Sequence, residues 1–235
     1  MTTTIAAFDG DTFDAYLALP PSGRGPGIVL LQEIFGVNAE MRRIADWYAA
    51  HGYVVLCPDL FWRQQPGIQL TDQTDAEWAR AFELYQGLDE AKAVDDAGAA
   101  LAFLRAHPAC TGKVGAVGFC LGGKLAYLIA TRCHQERRAD CSVGYYGVGI
   151  ENALDEIANL NGHLMLHIAE KDQFCSTEAQ AKIHAALDGN ARVTMHDYVG
   201  QDHAFARVGG AHYDAVSAEL ANDRSLKFFQ EHLNG

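Results

Sequence analysis

The stretch Gly118-Phe119-Cys120-Leu121-Gly122-Gly123 does most to limit the folds open to this chain. It follows the apolar run Val114-Gly115-Ala116-Val117, which reads as a buried strand. It precedes Lys124 to Ala130, which reads as a helix. A strand that turns sharply into a helix needs glycine where the two backbones crowd. The residue at the turn then projects over the C-terminal edge of the sheet. Free helix N–H groups there favour a thiolate or a developing oxyanion. Cys120 is therefore a candidate nucleophile, although the segment alone also fits a glycine-rich turn holding an inert buried thiol.

Residues downstream supply context. Val143 to Tyr146, His163 to Ile168 and Arg192 to Val199 read as further strands. The second is followed by Ala169-Glu170-Lys171-Asp172 and the third by Gly200-Gln201-Asp202-His203. Nucleophile, acid and histidine thus follow one another as Cys120, Asp172 and His203, each on a loop after a strand, where C-terminal strand ends converge. That order resembles the α/β-hydrolases, whose nucleophile sits on such an elbow.

The rest of the chain fits one domain over residues 1–235. Ile5 to Phe8 and Phe13 to Leu19, joined at Asp9-Gly10, read as an antiparallel hairpin at the sheet edge. Ile28 to Leu31 and Tyr53 to Leu56 read as buried strands around a helix from Asn38 to Ala50. Residues 60–74 read as an irregular rim, followed by helices over 75–85 and 89–106 and a last helix over 213–232. Alternating strands and helices predict an α/β fold, a mostly parallel sheet covered on both faces.

Composition excludes several classes. With 49% hydrophobic residues in 235, one large core can be buried. A net charge of −12 argues against nucleic acid, which needs basic patches. No long apolar run predicts a membrane span, and Met1-Thr2-Thr3-Thr4 lacks a signal peptide's basic start and apolar core, so the cytoplasm is the expected location. The six cysteines show no CxxC pair or zinc spacing, so no metal or disulfide framework is expected. His163 and His167 lie four apart in a strand rather than on one helix face, and Asp95-Asp96 and Glu136-Arg137-Arg138 read as solvated helix faces.

Gln32-Glu33-Ile34-Phe35-Gly36-Val37-Asn38, taken with the Gly-Phe-Cys-Leu-Gly-Gly elbow, resembles the dienelactone hydrolase (carboxymethylenebutenolidase) family. The resemblance runs on through Gly112 to Gly115, Val143 to Gly149 and His203-Ala204-Phe205-Ala206-Arg207. It implies an α/β-hydrolase fold, a Cys120–His203–Asp172 triad, and no cofactor. It also implies that Glu33 takes the thiol proton as substrate arrives, and that the N–H groups of Ile34 and Leu121 form the oxyanion hole. The substrate implied is a small anionic enol-lactone met in aromatic degradation, opened to maleylacetate, and the enzyme is expected to be a monomer.

The residues support those roles independently. A free thiol is mostly protonated at neutral pH, so an acid beside it is useful only as a switchable proton acceptor. Glu33 follows four apolar strand residues, in the loop expected to give an oxyanion donor. A lone His203 fixed by Asp172 suits the water that attacks a thioester.

Substrate recognition departs from the family in one place. Family members hold the substrate carboxylate with two arginines; Arg207 matches one, while Trp78 stands at the position of the other. Arg80 lies two residues on, about 200° around a helix. Tyr145 and Phe35 match pocket positions as they stand, and Phe82 and Tyr85 match with changed side chains. Trp78, Phe82 and Tyr85 also have the spacing of a helix packing face, so both roles stay open. So do three functions: the dienelactone hydrolase, a broader carboxylesterase or thioesterase, and a non-hydrolytic cysteine protein, the last having no use for Asp172 and His203.

Overall fold

The computed structural model describes residues 1–234. Its strands are β1 (Thr2–Ala6), β2 (Thr12–Ala18), β3 (Gly25–Leu31), β4 (Val54–Pro58), β5 (Cys110–Phe119), β6 (Cys141–Tyr145), β7 (His163–Ala169) and β8 (Val193–Tyr198). Its helices are α1 (Ala39–Ala50), α2 (Asp75–Gln86), α3 (Glu90–Ala106), α4 (Leu121–Arg132), α5 (Thr177–Leu187) and α6 (Ala215–Leu233). The eight strands form one sheet in the order β1-β2-β4-β3-β5-β6-β7-β8. Strands β1 and β2 pair antiparallel to their neighbours and all the others run parallel. This is the α/β-hydrolase arrangement, with its N-terminal hairpin.

Strands β3, β4 and β5 occupy the centre, and their apolar runs are buried on both faces, as parallel strands under two helical layers must be. Helices α1 and α6 cover one face through Met41, Ala45, Phe228 and Phe229. Helices α2 to α5 cover the other through Leu84, Leu101, Leu125 and Ile183. No helix among the described residues is long and apolar enough to cross a membrane.

Several boundaries move for physical reasons. The hairpin begins at Thr2, and its turn is wider than Asp9-Gly10, since Ala7 N–H donates to Asp11 O at 2.8 Å. That leaves Phe8 exposed outside the strand. Helix α5 buries only Ala179, Ile183 and Leu187, and alanines around that stripe blur its period, so the residue pattern alone does not mark it. Helix α4 starts directly after Cys120 rather than at Lys124.

Residues 60–74 contain no helix or strand and do form a rim. Asp96 fastens it: the Trp62 Nε1–H and the Arg63 Nε–H donate to its Oδ2 at 2.8 and 2.9 Å, and Arg63 Nη2 to its Oδ1 at 2.8 Å. Asp96 is 1% exposed, which corrects its reading as a solvated residue; α3 turns it inward under the rim. Arg137 ends a 3-10 turn rather than lying on a helix face, and pairs with half-buried Asp95.

Candidate active site

Cys120 bridges β5 and α4 with φ 54° and ψ −115°. Such a conformation costs a non-glycine residue roughly 1–3 kcal/mol and persists only where its surroundings enforce it. Here the Cys120 N–H donates to Tyr145 O at 3.1 Å, while Cys120 O accepts from the Gly123 and Lys124 N–H groups at 3.0 and 3.2 Å. Glycines permit the crowding. A Cβ on Gly118 would lie 1.9 Å from Gly122 O, and one on Gly122 would lie 2.2 Å from Leu31 O. All six cysteines are free thiols, and only Cys120 is half-buried rather than buried. Burial pushes the Cys133 thiol up to about 11 and Cys175 to about 12, and raises Cys57 and Cys141 as well, so these four stay protonated.

Asp172 follows β7 and His203 follows β8. The His203 Nδ1–H donates to Asp172 Oδ2 at 2.8 Å, and Asp172 Oδ1 accepts from the Phe174 N–H at 2.8 Å. With Nδ1 committed to a carboxylate, which can only accept, Nε2 is left to face the cavity. Two rings clamp the imidazole edge-on, Tyr146 at 5.0 Å and Phe174 at 4.8 Å between centroids. Burial works against a charged His203, but the Cys120 sulfur and the Asp172 carboxylate outweigh it and lift its pKa to about 10.

A second charged group lies alongside. Glu33 is 2% exposed, and its Oε2 sits 2.9 Å from Arg207 Nε. The N–H is not well aimed at that oxygen, so the contact is an ion pair rather than a directed hydrogen bond. Glu33 Oε1 has no hydrogen-bond partner among the described residues. Arg207 Nη1 donates to Asp72 Oδ2 at 2.7 Å, and the guanidinium lies over the Phe35 ring at 5.1 Å. Burial opposes the Arg207 charge, but Glu33 and Asp72 hold it protonated.

These groups meet at one small apolar cavity. Cys120, His203 and Arg207 line it with Ile34, Leu121 and an aromatic wall. A wider cleft of about 490 Å³ beside β2 and the rim holds no cysteine or histidine, so the chemistry belongs to the smaller cavity. No group of three or more potential metal ligands occurs among the described residues.

Residues 13–233 match the model of the dienelactone hydrolase family. The chain belongs to that family. It is 39% identical to the carboxymethylenebutenolidase of Pseudomonas putida, covering 96% of this chain and 94% of the relative. It is 36% identical to carboxymethylenebutenolidase 1 of Cupriavidus pinatubonensis, over 95% and 93%. Among solved structures it resembles a dienelactone hydrolase-like promiscuous phosphotriesterase from metagenomic libraries, with a TM-score of 0.76, 22% identity and 99% and 98% of the two chains covered. Like other members of the dienelactone hydrolase family, it is a hydrolase of ester or lactone bonds.

Against the dienelactone hydrolase pattern, most expected site residues come together. Phe35, Trp78, Phe82 and Tyr85 all line the cavity, and Trp78 and Tyr85 also pack against the core, so the α2 stripe does both. Trp78 stands edge-on to Phe35 at 5.0 Å and stacks on Phe82 at 5.6 Å. Leu121 is the first residue of α4, where a backbone N–H has no acceptor inside the helix. Neither that N–H nor that of Ile34 donates to another group among the described residues.

Two expected residues lie elsewhere. Tyr145 is fully buried toward α6, with its hydroxyl bonded to Asn222 Oδ1 at 3.0 Å and Ser225 Oγ at 2.7 Å. Arg80 turns away from the cavity to Glu83 and to Gln65 Oε1 at 2.7 Å. Sequence reasoning missed Tyr146, Phe174, Val148 and Asp72. Tyr146 lies one residue past β6 with φ 37°, a left-handed position that strand alternation does not reveal. Asp72 offered no signal, because an irregular rim has no period.

Proposed function

We propose that the protein opens an enol-lactone, dienelactone to maleylacetate, through a thioester on Cys120. The observation that carries this is the 2.8 Å His203 Nδ1–Asp172 Oδ2 contact, made by a histidine that shares one cavity with the elbow cysteine. A substrate carboxylate engaging Arg207 competes for the cation now paired with Glu33. Freed of that partner, Glu33 accepts the Cys120 proton. The thiolate attacks the lactone carbonyl, and the oxyanion forms against the N–H groups of Ile34 and Leu121, which contribute about 2.7–4 kcal/mol each in comparable sites. The ring C–O bond then breaks, and the departing enolate takes a proton and becomes the ketone.

Acylation changes His203. Once Cys120 is ionised it is the largest influence raising the imidazole's pKa, and a thioester cannot ionise. Burial then counts for more, and a neutral Nε2 can take a proton from water while Asp172 fixes Nδ1–H. The resulting hydroxide adds to the thioester, the C–S bond breaks, and the thiolate leaves and regains a proton.

The apolar wall of Trp78, Phe82 and Tyr85 favours a second reading, a broader carboxylesterase using the same machinery. A panel of enol-lactones and aryl esters, assayed with the wild type and Cys120→Ala, separates the two. Lactone ring opening that is lost in the variant supports the first. Turnover of aryl esters alone supports the second.

A further inference from the structure

The structure assigns a specificity role to Asp72: it fills, from within the chain, the carboxylate position on Arg207, so an anionic lactone must displace it and an uncharged lactone need not. The inference rests on the proposed hydrolysis only for its substrate. Three observations carry it. Asp72 Oδ2 accepts from Arg207 Nη1 at 2.7 Å, with the two side chains only 12% and 10% exposed. That is the charge-assisted contact a substrate carboxylate would make.

Asp72 is also held in place. Its carbonyl oxygen accepts from the Trp78 Nε1–H at 3.0 Å, on the wall of the same cavity. The preceding residue is tied to α2, since the Thr71 N–H and hydroxyl both donate to the Glu77 carboxylate at 2.8 Å. The rim therefore presents the Asp72 carboxylate to Arg207 rather than letting it swing in solvent.

The local charges do not favour a further anion. Arg207 is the one guanidinium lining the cavity among the described residues, and it already faces Glu33 and Asp72, while His203 is committed to Asp172. Uncharged Trp78 fills the α2 wall, and Arg80 is turned to Glu83 and Gln65. A substrate carboxylate would be a third anion on one guanidinium.

The test compares dienelactone with its primary carboxamide, which has the same scissile ring without the charge. Asp72→Asn keeps the shape and an oxygen for Arg207 but removes the charge. The ratio of kcat/KM for acid over amide is expected to rise at least tenfold, mainly through a lower KM for the acid. Asp72→Glu should keep the ratio within about twofold of the wild type. If Asp72 merely braces the rim, Asp72→Asn lowers both substrates together and the ratio stays put, which overturns the inference. Calorimetric binding of both compounds to Cys120→Ala, with and without Asp72→Asn, repeats the comparison without chemistry. Tighter acid binding with no wild-type turnover upholds Asp72 and sinks the hydrolytic proposal. Cys120-dependent turnover with an unchanged ratio does the reverse.

Discussion

Glu33 Oε2 lies 2.9 Å from Arg207 Nε, so the proposed base for the thiol and the proposed anchor for the substrate are one ion pair. Neither can be altered without disturbing the other. This coupling makes the two residues separable only by which kinetic step each variant slows.

Glu33→Gln keeps the shape of the pair but cannot take a proton. Acylation is expected to slow by roughly 10²-fold or more, the usual contribution of a positioned base, while hydrolysis of the thioester changes little. Stopped-flow measurement of the burst with a chromogenic ester that carries a carboxylate for Arg207 reads this directly. A burst at the wild-type rate removes Glu33 from the acylation step.

Arg207→Ala should act through substrate charge. Losing one charge-assisted partner costs about 1.5–3 kcal/mol, or roughly 10- to 150-fold in kcat/KM, for the carboxylated lactone. Its carboxamide loses the same background through the stranded Glu33 but not the direct contact, so the acid-to-amide ratio falls. Equal losses on both would make Arg207 a structural counter-ion to Glu33 alone.

His167 gives the fold a pH dependence away from the site. It is 1% exposed, with Nδ1 against Tyr198 Oη at 2.8 Å and Nε2 against Ser225 Oγ at 2.9 Å. Burial, then His196 and Arg224, hold its pKa well below the ordinary 6.5. In the window below 6.5 the unfolded chain binds a proton that the native state refuses. Its contribution is thus intact above that pH and declines as pH falls, by at most about 1.4 kcal/mol per pH unit. His203, whose folded pKa is raised, works in the opposite sense: its stabilisation is complete below 6.5 and fades as pH rises toward about 10. Thermal melts of wild type and His167→Gln from pH 5 to 8 should show a Tm difference that narrows on the acid side. A pH-independent difference would mean that His167 is protonated in the native state.

Much of this was legible in the sequence because the informative residues obey local rules. The elbow glycines answer to backbone crowding, and the positions after β7 and β8 follow from apolar runs that mark strand ends. What stayed hidden depends on contacts between distant segments. Asp72 reaches Arg207 across 135 residues of sequence, from a rim without periodicity. Tyr145 and Tyr146 are adjacent and alike; Tyr145 is the last paired residue of β6, and the left-handed turn at Tyr146 directly after it carries that ring to His203. Asp96 reads as surface until Trp62 and Arg63 fold over it.

The nucleophile itself is tested most directly by His203→Ala mixed with dienelactone, quenched in acid and weighed intact. Ring opening expels no fragment, so the thioester should add the full mass of the lactone, and peptide mapping should place it on Cys120. The adduct should build up because the variant lacks the base for water, and Cys120→Ala should show neither adduct nor turnover. Retention of more than about one per cent of wild-type activity by Cys120→Ala, or an adduct mapped to any other residue, would contradict Cys120 as the nucleophile.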